Sequence, residues 1–115
     1  MFETYASGTL IADGTEQIVS EISEPTKFSG YISLAQMQAG DIVKLRQYTK
    51  LFATWEQYAE EKYEDIQPSP VVYFTPKIIP SSLRVTLEQT AGIMRTFDYK
   101  FMKEVELVSA DAIRV

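Results

Sequence analysis

Between Phe52 and Ile66 the chain gathers five acids, Glu56, Glu60, Glu61, Glu64 and Asp65, against a single base, Lys62. Two carboxylates can perform acid–base hydrolysis when rigid strands hold them at a set separation in a cleft and burial raises the pKa of one. A polar run of this kind reads instead as a solvated face. Calcium would need about six to eight oxygens from a defined loop, and no Asp-x-Asp-x-Asp-Gly spacing occurs. Five acids against one base leave −4 in this window, most of the net charge of −5. The concentration predicts a cation- or base-facing patch.

Elsewhere the chemistry is sparse. There is no histidine and no cysteine, which removes Ser-His-Asp and Cys-His nucleophiles, the common zinc sites and any disulfide. Ser81-Ser82 reads as a loop with no base to activate it. Gln89-Thr90-Ala91-Gly92 lacks the lysine and the helix of a phosphate-binding loop. Asp13-Gly14-Thr15 and Gly40-Asp41 read as turns. No catalytic residue, metal or cofactor is expected, and the chain reads as a non-enzyme. An acidic chain, pI near 4.7, is ill suited to tracking phosphate backbones, so no nucleic-acid partner is expected. No apolar run is long enough to cross a bilayer, and Met1 to Leu10 lacks a basic start and a long apolar stretch; a soluble chain without a membrane partner is expected.

Aromatic side chains are the richer resource: Tyr48, Trp55, Tyr58, Tyr63, Tyr73 and Phe74 fall close together in sequence. Rings of this kind serve as core, as anchors between subunits, or as a stacking platform for sugars. Tyr48, Trp55, Tyr58 and Tyr63 are the candidate interface or ligand-stacking residues.

These groups need a frame, and hydrophobic period supplies it. At 115 residues the chain reads as one domain spanning 1–115, with 109–115 as a C-terminal tail. Leu83, Val85 and Leu87 alternate with Arg84, Thr86 and Glu88, the pattern of a half-buried antiparallel strand. Phe28, Gly30, Ile32 and Leu34 alternate with Ser29, Tyr31 and Ser33. Phe97, Tyr99 and Phe101 continue to Val105 and Leu107, with a bulge or a barely paired end expected at Lys103. Ile18 and Ile22 are expected to share a face with Ser20. Asp13-Gly14 predicts a tight hairpin between the Thr4–Ile11 and Glu16–Ser23 strands. Gly40-Asp41 leads into a strand from Ile42, after one loose helical turn over Ala35 to Ala39. Pro68, Pro70 and Pro76 fence a short strand over Val71 to Thr75. Residues 52–66 have helix-friendly composition, yet a strand or loop continuing from Asp41 is more consistent with so many neighbouring strands. The sum is an all-β, antiparallel sandwich, jelly-roll-like, of about eight strands.

Two segments carry a resemblance. Phe28 to Arg46, FSGYISLAQMQAGDIVKLR, and Arg84 to Tyr99, RVTLEQTAGIMRTFDY, resemble small single jelly-roll modules of virion structural proteins: capsid, decoration or spike modules. The resemblance implies self-assembly or attachment to a shell, hence a virion location and a partner that is a copy of the chain or another shell protein, and it brings no catalytic residues. The alternative is a carbohydrate- or receptor-binding sandwich, with a glycan or receptor as partner and an extracellular or cytoplasmic location.

Overall fold

A computed structural model of the chain describes residues 2–50, 52–79 and 82–104, with backbone alone for 75–79. Eight strands follow in order: β1 (Phe2–Ile11), β2 (Glu16–Ile22), β3 (Thr26–Ser33), β4 (Ile42–Thr49), β5 (Glu56–Glu64), β6 (Val71–Ile79), β7 (Leu83–Ala91) and β8 (Thr96–Glu104). Residues 52–66 thus contain a strand despite their helix-friendly composition, because β5 pairs along its length with β4.

Pairing is antiparallel throughout. β1 runs against β8, β2 against β7, β3 against β6 and β4 against β5. This is one long ribbon, rolled so that successive rungs fall alternately into two sheets. Contacts β3–β8 and β4–β7 then close the sheets, in the orders β1-β8-β3-β6 and β2-β7-β4-β5. That rolled arrangement is the jelly roll.

Between the sheets lies the core predicted from the alternation. Leu83, Val85 and Leu87 of β7, Phe28 and Ile32 of β3, and Phe97 and Phe101 of β8 are all buried. Phe28 stacks on Phe101 at 5.6 Å, and Phe74 tilts against Phe101 at 5.5 Å. Gly30 leaves room for that ring: a Cβ there would sit 2.2 Å from Phe101 Cδ1. Inside the sandwich the Tyr5 hydroxyl and the Ser20 hydroxyl share a hydrogen bond of 2.6 Å that links the two sheets.

Several expectations fail for stated reasons. Asp13-Gly14 is a turn, with Gly14 at φ 85 and the Asp13 carboxylate accepting the Thr15 N–H at 2.9 Å. It does not close a hairpin: β1 and β2 belong to different sheets, since each finds its partner at the far end of the chain. Ile18 is exposed while Ser20 and Ile22 are buried, because Val19 is an extra residue against β7 and reverses the alternation. The strand expected to end at Thr75 continues to Ile79. β6 is an edge, and a register shift opposite Ser29 takes up Pro76. The bulge expected at Lys103 lies across the ladder at Tyr5 of β1, while β8 stays regular. Two turns, one closed by Met37 N–H to the Leu34 carbonyl at 3.1 Å, replace the helical turn over 35–39. Val105, Leu107 and the tail at 109–115 lie outside the described residues.

Candidate functional site

The four turns at one end of the sandwich, 12–15, 34–41, 65–70 and 92–95, are tied together by polar groups. Asp41 is buried, and its Oδ2 accepts the Gln38 N–H at 2.8 Å and Arg95 Nε at 2.8 Å. Burial pushes the Asp41 carboxyl up, but the Arg95 hydrogen bond, the backbone N–H groups and the Arg95 charge outweigh it, and it titrates below the usual carboxylate range. Gln89, fully buried, donates to the Ala91 and Ile93 carbonyls and accepts the Arg95 N–H. Gly92 is required twice over: its φ is +90, and a Cβ would fall 1.9 Å from Asp41 Oδ1. Gln89 and Asp41 Oδ2 hold turns, while Asp41 Oδ1 is buried against Gly92 without a hydrogen-bond partner among the described residues.

The outer faces of the two sheets differ. On the β2-β7-β4-β5 sheet, Arg46 sits among three acids from three strands: Glu60 at 2.7 Å, Glu88 at 2.8 Å and Glu16 at 3.3 Å. Its guanidinium is held still more firmly protonated by Glu60 and Glu88, against the opposing effect of burial. Burial also pushes Glu16 up, but hydrogen bonds from Thr86 and Tyr48 and the Arg46 charge override it and depress its pKa. Arg84 pairs with Glu21 at 2.8 Å, and Lys62 with Glu64 at 3.0 Å. Of the acids expected to form a patch between Glu56 and Asp65, Glu60 and Glu64 therefore face bases of their own chain, while Asp65 caps the Gly40 N–H at 2.7 Å.

The four candidate aromatics are divided by this sheet. Tyr48 and Trp55 share a hollow of about 310 Å³ with Glu16, Ile18, Arg84 and Thr86. There the Tyr48 hydroxyl donates to Glu16, and the Arg84 guanidinium lies 4.3 Å from the centre of the Trp55 ring. Tyr58 is the extra residue of β5 against β4, and its hydroxyl donates to Gln47 at 2.9 Å. Tyr63 packs against the core, beside a hollow of about 240 Å³ that opens between β5 and β6.

The outer face of the other sheet has a different character. One row across β1, β8, β3 and β6 reads Ser7, Lys100, Tyr31, Tyr73. The Tyr31 and Tyr73 rings are 4.9 Å apart and exposed, at 40% and 46%. Val71, exposed at 55%, lies opposite Ser33. Asp98 accepts the Thr9 hydroxyl at 2.6 Å. A shallow hollow of about 360 Å³ is bordered by Tyr31, Ser33, Val71, Asp98, Tyr99 and Lys100. Tyr31 was not among the sequence candidates. Its signal was its place on the face of β3 opposite Phe28 and Ile32, and its partner comes from a strand distant in sequence.

Comparison with protein-family models, with curated proteins and with solved structures yields no match. Among the described residues no group of acids could hold a metal ion, and no helix is long and apolar enough to cross a membrane.

Proposed function

We propose that this chain is a non-enzymatic structural subunit that packs against copies of itself or coats a larger particle. A viral capsid or decoration subunit is the form supported by the jelly-roll topology together with the resemblance of residues 28–46 and 84–99. The observation that carries the reading is the division between the outer faces: one gathers Glu16, Glu60 and Glu88 around Arg46, while the other leaves Tyr31, Tyr73 and Val71 uncovered. Exposed tyrosines are among the anchors that protein interfaces favour. Light scattering on the purified chain tests it. Oligomers are expected, with Tyr73→Glu lowering the mass while leaving the fold intact. A chain that stays monomeric at high concentration and binds no shell protein would contradict the reading.

A second reading rests on the shallow hollow beside Tyr31. Aromatic surface next to Asp98, Lys100 and Ser33 offers a sugar both a stacking face and hydrogen-bond partners. Glycan binding that disappears in Tyr31→Ala, with the wild-type chain monomeric, would favour this alternative.

A further inference from the structure

Each of the four edge strands faces the problem of unpaired backbone groups, and three carry visible protection. β2 has Glu16 and Glu21 and the extra residue Val19. β5 has Glu56, Glu60, Glu61, Lys62 and Glu64 and the extra residue Tyr58. β6 has Pro76 within a register shift. β1 differs. Its one charge, Glu3, and its bulge at Tyr5 both lie in its first half, and Ala6 to Ile11 is uncharged, free of proline and regular against β8. Among the described residues no strand occupies its outer side.

We propose that β1 is the edge through which two copies of this chain join, antiparallel, about a twofold axis, giving one continuous eight-stranded sheet. The inference rests on the self-assembly reading and adds an edge contact to the face that carries Tyr31 and Tyr73. Charge selects the occupant: in a chain of net charge −5, copies meet with least repulsion along the uncharged half of an edge. Symmetry sets the register. In one continuous sheet, residues directly opposite each other must point to the same face, so the axis passes through a residue rather than between two. Centred on Gly8, it sets Ser7 opposite Thr9 of the second copy on the outer face and Ala6 opposite Leu10 on the inner face, with Glu3 well away from its counterpart. The outer row that begins at Ser7 then runs on into the second copy, so the face that carries Tyr31 and Tyr73 doubles in width.

A chain without cysteine allows a direct test. Directly opposite residues lie about 4.5–5.5 Å apart, within disulfide range, whereas diagonal neighbours at about 7–8 Å are not. Under mild oxidation, a mixture of Ser7→Cys and Thr9→Cys chains is expected to form a mixed disulfide dimer in severalfold excess over either variant alone, and Tyr73→Cys on β6 is expected to form none through this contact. If the chain is oligomeric but the mixture gives no excess, the β1 contact is overturned and self-assembly stands. If the chain is monomeric and no variant cross-links, both fall.

Discussion

The two outer faces of the sandwich are built on the same strand geometry and have solved opposite problems. On the β2-β7-β4-β5 sheet, a central Arg46 gathers Glu16, Glu60 and Glu88, and Arg84 serves both Glu21 and the ring of Trp55. Cross-strand pairs of this kind stabilise the sheet and leave little reason for another chain to bind. The β1-β8-β3-β6 sheet places Ser7, Thr9, Asp98, Lys100 and a tyrosine pair on its outer face. The rings of Tyr31 and Tyr73 stay exposed there. Charge content alone does not mark a binding face: Arg46 is occupied by acids of its own chain, whereas Tyr31 and Tyr73 stay exposed.

Removing the centre of the charged face should have the largest effect on stability. Arg46→Met leaves three carboxylates facing one another, and we expect a loss of about 2 kcal/mol in chemical denaturation. Oligomeric mass should be unchanged. The reverse pattern is expected for Tyr73→Glu: association weakened about 30-fold, equivalent to ~2 kcal/mol, with stability within about 0.5 kcal/mol of wild type. If Tyr73→Glu unfolds the chain, or Arg46→Met dissociates it, the comparison breaks.

Acid should sharpen the same contrast with a smaller effect. Glu16 and Asp41 have folded pKa values below their unfolded ones, so their stabilisation is full above the unfolded value near about 4 and is lost as pH falls through the folded value. Stability measured from pH 7 downward should therefore hold until about pH 5 and then decline. Arg46→Met should decline less steeply, because it removes one of the groups that depress Glu16. Equal acid slopes in the two proteins would contradict the Arg46–Glu16 linkage.

Much of this architecture was legible from period alone. Leu83, Val85 and Leu87 of β7 and Phe28 and Ile32 of β3 are buried as their alternation predicts. Thr86 and Ser29, expected on the solvent side, are buried as well because β7 and β3 are central strands with neighbours on both sides. Failures arose where pairing is long-range. A single extra residue at Val19 turned Ile18 outward, and nothing local to that strand announces it. Asp13-Gly14 had the right turn chemistry but the wrong consequence, since whether a turn closes a hairpin depends on partners at the other end of the chain. The candidate site was less legible still. Nearness in sequence grouped Tyr48, Trp55, Tyr58 and Tyr63, whereas the rolled ribbon divides them among the outer face, a bulge and the inner edge. The exposed pair is instead Tyr31 with Tyr73, which adjacent strands β3 and β6 bring together.

Sedimentation velocity over a range of concentrations, repeated at low salt and at about 1 M salt, where charges beyond about 3 Å are screened, separates association through apolar and backbone contacts from association through charge. Association through the face that carries Tyr31 and Tyr73 and through the β1 edge predicts oligomers that persist in high salt, while the charged face loses only a little stability. A strict monomer at every concentration, or oligomers that dissolve as salt is added, would contradict it.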